Sequence, residues 1–218
     1  MASPARAIRI GETIEEYRPE RRSDVVDYDA GTALIVVDVQ NDFADPKGNL
    51  RVPGGEEVVP VVNREIDRAL SAGALVAYTQ DWHPPDTPHF EKDGGIWPVH
   101  CVKETWGAEL HPDLKVAGEI VRKGTQGEDG YSGFTVRDPE SGNEEITRLE
   151  SILRARGIEK VVVTGLATDY CVKGTAIDAA QKGFSTVVLT EGIRAVNREP
   201  GDDERALEEV RRAGAVIE

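Results

Sequence analysis

Apolar runs of strand length, alternating with segments of helical spacing, recur from residue 33 to the end of this chain and constrain its fold more than any other feature. ALIVVD (33–38), ALVAYTQ (74–80), EIVRK (119–123), KVVVTG (160–165), STVVLT (185–190) and the closing AVIE read as strands. EEVVPVVNREIDRALSAG (56–73) repeats apolar residues at Val58, Val62, Ile66 and Leu70 and stops at Gly73, which predicts a helix. EITRLESILRARG (145–157), with Ile146, Leu149 and Leu153 in register, is a second predicted helix, and CVKGTAIDAAQKG (171–183) and DDERALEEVRRAG (202–214) are two more. Continuously apolar strands alternating with helices specify an α/β fold. A mostly parallel central sheet of about six strands is expected, with helices on both faces and right-handed crossovers. At 218 residues the chain suits one domain, over 32–218, preceded by a charged N-terminal extension over 1–31. That extension could wrap the domain or join a subunit contact in a homo-oligomer.

The net charge of −14 argues against nucleic acid or an anionic membrane as a partner, because both need a basic surface. No apolar run approaches the roughly 20 residues that span a bilayer, and the N-terminus lacks a secretory apolar segment, so a cytoplasmic location is expected. Two cysteines, Cys101 and Cys171, are too few for a disulfide framework and turn attention to a single reactive thiol. The loops at 39–55, 81–118 and 124–144 are long for a compact domain, as functional loops often are.

Open parallel sheets bind ligands outside the carboxyl ends of their strands. At those ends stand Asp38, Asp81 and Lys123, with Cys171 just past VVVTGLATDY. A thiol in the first turn of a helix feels free N–H groups and the positive end of the macrodipole, which favour the thiolate. The N–H groups of Ala167 and Cys171 are candidates for an oxyanion hole. Asp38 could take the thiol proton and return it to a leaving amine, while Lys123 holds Asp38 ionised. The bland readings are a buried inert cysteine, a loop-capping aspartate and a lysine reaching solvent. In DWHPPDTPHF (81–90) an extended backbone turns Asp81 and His83 the same way. His89 follows three prolines, and His100 follows in IWPVHC (96–101). Three of the chain's four histidines thus gather beside an aspartate, a ligand set suited to Zn²⁺, Fe²⁺ or Mn²⁺. His111, the fourth, is expected at the surface or a helix start, and Cys101 is expected to be inert packing.

These residues resemble the nicotinamidase (pyrazinamidase) family of isochorismatase-like cysteine hydrolases. The resemblance runs from Ala33 to the C-terminus through ALIVVDVQNDF (33–43), DWHPPDTPHF (81–90), WPVHC (97–101), KGTQGEDGYSGF (123–134) and GLATDYCV (165–172). It implies a catalytic triad of Asp38, Lys123 and Cys171, and one divalent metal ion held by Asp81, His83, His89 and His100 with waters. It also implies a cis peptide between Leu166 and Ala167, Phe43 and Trp97 flanking a pyridine ring, and Tyr131 closing the pocket. The implied reaction is hydrolysis of nicotinamide to nicotinate and ammonia through a cysteine thioester, in NAD salvage, with pyrazinamide as a further substrate. Relatives without the metal keep the triad but lack the Asp-x-His cluster, and the alternative is an amidohydrolase of ureido or carbamoyl substrates. The chain departs from the pattern at Tyr170, where many members carry histidine, which bears on ring specificity. It departs again in residues 1–31, absent from the shortest members.

Overall fold

The computed structural model describes residues 26–218, so residues 1–25 of the expected extension lie outside the described residues. In chain order the strands are β1 (Thr32–Val37), β2 (Leu75–Asp81), β3 (Glu119–Lys123), β4 (Thr135–Arg137), β5 (Glu144–Ile146), β6 (Lys160–Leu166), β7 (Ser185–Arg194) and β8 (Val216–Ile217). The helices are α1 (Asn41–Ala44), α2 (Val58–Ser71), α3 (Leu149–Ala155), α4 (Lys173–Gln181) and α5 (Asp202–Arg212). Six strands form one parallel sheet in the order β3-β2-β1-β6-β7-β8, while β4 and β5 make a separate antiparallel pair.

Every residue of β1 is buried, because both faces of the sheet are covered. Leu34 and Val36 pack on one side with Val58, Val62 and Ile66 of α2. Ala33, Ile35 and Val37 face the other way, into a core with Leu149 and Leu153 of α3, Ala176 and Ala179 of α4 and Val210 of α5. Three layers result, as the strand–helix alternation predicts. The last residues before β1 join this body: Val26 is buried in the α2-side core, and Arg68 donates to its carbonyl at 2.5 Å. No helix among the described residues is long and apolar enough to cross a membrane.

Four local expectations are corrected. Leu70 is 44% exposed and Ala69 takes the inward place. At about 100° per residue Ala69 lies about 20° from Val58 on the helix wheel and Leu70 about 120° away. The helix expected over 145–157 begins only at Leu149, and Ile146 is a strand residue, 77% exposed. Thr147 ties this stretch to the preceding loop: its N–H donates to Phe134 O at 2.8 Å and its hydroxyl to Gly133 O at 2.6 Å. The same hydroxyl accepts from the N–H of Leu149, so extended backbone gives way to helix there. The loop at 124–144 therefore contains β4 and the start of β5. The helix expected from Cys171 begins at Lys173, and β7 runs four residues past its expected end at 190.

Gly165 lets β6 approach β1 near the sheet's carboxyl edge. Its φ is 115°, and a Cβ there would sit 2.1 Å from Val37 O. Gly165→Ala is expected to destabilise the protein by about 2–4 kcal/mol through backbone strain and overpacking together. An unchanged urea midpoint would contradict that.

Candidate active site

From β1 the chain steps outward to β2 and β3 on one side, then returns to β6 and continues to β7 and β8 on the other. The carboxyl ends of β1 and β6 therefore border the crevice where the winding reverses, the place such sheets bind ligands. Asp38 follows β1, with a backbone φ of 46° that non-glycine residues seldom adopt. Asp81 and Lys123 end β2 and β3 as directly paired residues. Cys171 follows β6 in a π-helical turn, Thr168–Val172, rather than in the first turn of α4. In that turn the Ala167 carbonyl accepts from the N–H groups of both Tyr170 and Val172 at 3.1 Å. The Leu166–Ala167 peptide is cis.

Lys123 is the hub of this rim. Its ammonium lies 3.0 Å from Asp38 Oδ2 and 3.6 Å from Cys171 Sγ, and it bonds Asp81 Oδ1 closely. Thr79 donates to Asp38 Oδ1 at 2.7 Å. Gln40, buried and unforeseen from the sequence, staples the ends of β1 and β2: its side chain donates to Asp81 O at 2.7 Å and accepts from Asp81 N at 2.8 Å. Burial penalises every charge here, and the neighbours decide the outcome. Burial raises the Asp38 carboxyl above its ordinary value against the pull of Lys123. For Asp81 burial acts the same way, but Lys123 and then His83 outweigh it and hold the group well below the usual carboxylate range. Burial opposes the charge of Lys123, yet Asp38 and Asp81 keep its ammonium well above the ordinary range. The Cys171 thiol is pushed well above its ordinary value by burial, which Lys123 only partly offsets. That corrects the expectation of a thiolate favoured by a helix start: this sulfur needs a proton acceptor, and Asp38 stands beside it.

The second group adjoins the first. One ligand atom each from His83, His89 and His100 lies within 4.8 Å of the others, whereas Asp81 groups by the same measure with Asp38 and Cys171. Asp81 nevertheless spans both groups, with Oδ1 on Lys123 and Oδ2 3.8 Å from His83 Nε2. His100 Nδ1 donates to Pro98 O at 2.7 Å and His89 Nδ1 to Asp129 Oδ1 at 2.9 Å, which leaves each Nε2 as the nitrogen that could take a metal ion. His83 is 3% exposed, and neither of its ring nitrogens has a hydrogen-bond partner. Gly124 makes room for that ring, since a Cβ there would sit 2.6 Å from His83 Nδ1. Burial pushes His100 down to about 3 against the pull of Asp81, so its imidazole is neutral at physiological pH. Three imidazoles converging beside a carboxylate, with both His83 nitrogens unpartnered, fit one divalent metal ion. His111 lies outside this cluster in a turn, half-buried, and Cys101 is buried with its N–H on Asp42.

A pocket opens over both groups. Phe43, Trp97, Tyr131 and Tyr170 line it with Leu50 and Val196, while Asp81, His89, His100, Ala167 and Cys171 also reach it. Trp97 Nε1 donates to Tyr131 Oη at 3.1 Å. Tyr170 and Trp97 meet edge to face at 4.8 Å between ring centroids, and the tyrosine that departs from the resemblance's pattern is a wall of the pocket. Leu50, Val196 and Asp129 carry no sequence signal for their places. Val196 is held there because Asp169 accepts from the N–H groups of Val196 and Asn197 at 3.0 and 2.8 Å.

The Isochorismatase domain family matches residues 32–218. The Escherichia coli nicotinamidase is 40% identical over 203 residues, which span 85% of this chain and 93% of that protein. The pyrazinamidase of Pyrococcus horikoshii, solved in complex with zinc, superimposes with a TM-score of 0.77 at 42% identity and covers 86% of this chain and 98% of its own. The L. infantum protein PnC1, solved in complex with nicotinate, gives 0.78 at 36% identity over 88% and 95%. Nicotinamidases are amidohydrolases acting on a linear amide C–N bond. By family match, identity and fold alike, the chain belongs to the isochorismatase family.

Proposed function

We propose that this chain hydrolyses nicotinamide to nicotinate and ammonia, with pyrazinamide as a second substrate, in NAD salvage. The observation that carries the reading is one aromatic-walled pocket touching both the thiol–ammonium–carboxylate group and the imidazole cluster. A ring amide fits such a site at two points, with its carboxamide at the sulfur and its ring nitrogen at the histidines. The likeness to nicotinamidases and to a nicotinate-bound structure supports it.

Phe43 and Trp97 hold the ring, and Tyr131 closes over it. Asp38, raised by burial and so a stronger proton acceptor than an exposed carboxylate, takes the Cys171 proton. The sulfur attacks the carboxamide carbon, and the N–H groups of Ala167 and Cys171 receive the developing oxyanion. Lys123 balances the negative charge that appears on the rim. Asp38 returns the proton to the nitrogen, the C–N bond breaks and ammonia leaves a nicotinoyl thioester. Asp38 then takes a proton from water as the hydroxide attacks the thioester carbon, the C–S bond breaks, Asp38 returns that proton to the sulfur, and the acid product loses its own proton to solvent and departs as nicotinate. Held by Asp81, His83, His89 and His100, a divalent ion would supply a Lewis-acid anchor for the ring nitrogen.

Ammonia release from nicotinamide tests the activity, and faster release from an acyclic ureido or carbamoyl amide would contradict it. About one ion per chain is expected in purified protein. Chelation should lower turnover by about 10-fold or more, with recovery on adding Zn²⁺, Mn²⁺ or Fe²⁺. Full activity in metal-free protein would remove the metal from the account.

A further inference from the structure

Asp129 lies in the stretch between β3 and β4, outside both groups described above, yet it touches one of them. Its Oδ1 accepts the Nδ1 hydrogen of His89 at 2.9 Å and also the N–H of Gly130 at 2.9 Å. Its backbone is locked to β4 in both directions, by Asp129 N to Arg137 O at 2.7 Å and Arg137 N to Asp129 O at 2.6 Å. Arg137 lies 3.7 Å from the other carboxylate oxygen. The β4–β5 hairpin therefore presents a carboxylate, fixed by main-chain bonds, to the outer nitrogen of an imidazole whose inner nitrogen faces His83 and His100.

His89 needs such an anchor more than its neighbours do. His100 is oriented by the Pro98 carbonyl, and His83 is wedged against Gly124. His89 follows the proline-stiffened loop 84–88, and its ring stacks on His83 at 4.7 Å between centroids, 20° from parallel. Stacking alone leaves the ring free to flip, which would turn Nδ1 inward. A carboxylate on Nδ1 fixes both the flip and the tautomer.

We propose that Asp129 is a positioning residue for the metal: tied to β4 by main-chain bonds, it selects the His89 tautomer with Nε2 free and aims that nitrogen at the ion. The proposal rests on the metal reading given above, and it gives the β4–β5 hairpin a task in the site. Asp129 is not among the residues that line the pocket.

Competition with a chromophoric chelator measures Zn²⁺ affinity for the whole chain, and Co²⁺ absorption at saturation reports coordination. Asp129→Ala is expected to weaken Zn²⁺ by about 10–100-fold, the usual cost of losing an outer partner of a histidine ligand. It should also change the Co²⁺ visible band. Asp129→Asn keeps an acceptor oxygen at nearly the same place and should recover most of that affinity. Arg137→Ala, which leaves the His89 contact intact, should match wild type. In a His89→Ala background, adding Asp129→Ala should change affinity by less than about 2-fold, because the two act through one contact. Wild-type affinity and spectrum in Asp129→Ala would overturn the proposal while leaving the metal site standing. So would equal losses from Arg137→Ala, which point to the hairpin's fold alone. Wild-type protein that binds no ion would overturn the metal reading and this proposal together.

Discussion

Cys171→Ala is expected to yield a folded protein that binds metal as wild type does and releases ammonia from nicotinamide at least about 10⁴-fold more slowly. Losing a nucleophile removes a whole chemical step, and groups that act as a unit leave little behind when one is gone. The fold should survive because the sulfur is a small part of a core that includes Val172, Ala176 and Ala179, and its polar neighbour Lys123 keeps both carboxylates. The metal should survive because the three histidines do not use the sulfur. Ammonia release within about 10-fold of wild type would remove Cys171 from the chemistry.

Lys123→Met should instead damage the fold. The ammonium is the shared cation of two buried carboxylates, Asp38 and Asp81. Deleting it leaves them facing each other without compensation, a change that typically costs about 3–5 kcal/mol. The loss should depend on pH in a definite direction. Burial already lifts the Asp38 carboxyl above its ordinary value while Lys123 pulls the other way, so the variant raises it further. A carboxyl whose folded value exceeds its unfolded value favours the folded state below the unfolded value. That advantage is lost as pH rises through the folded value. The stability gap between variant and wild type should therefore narrow from pH 8 to pH 5, read from urea midpoints. A gap that widens over that range would contradict the charge assignment, and no gap would contradict the burial argument.

Much of this site is legible in the sequence because the sheet exposes it. Asp38, Asp81 and Lys123 each follow an apolar strand, and strands that run parallel bring their carboxyl ends to one edge. Local pattern carries such residues well. It fails where the deciding contact is distant along the chain. Ile146 has helical spacing with Leu149 and Leu153, yet pairing with Thr135 holds it extended. Gln40 reaches across 41 residues to Asp81, and Asp129 across 40 to His89. Neither partner leaves a mark in local periodicity. The expectation of a ready thiolate failed for another reason: position after a strand says nothing about desolvation, and here desolvation dominates.

Acid quenching during turnover, followed by mass analysis of the peptide that carries Cys171, tests the covalent path most directly. A nicotinoyl group is expected on that cysteine, formed in a burst and lost as nicotinate appears. Steady nicotinate production with the sulfur unmodified at every quench time would contradict it.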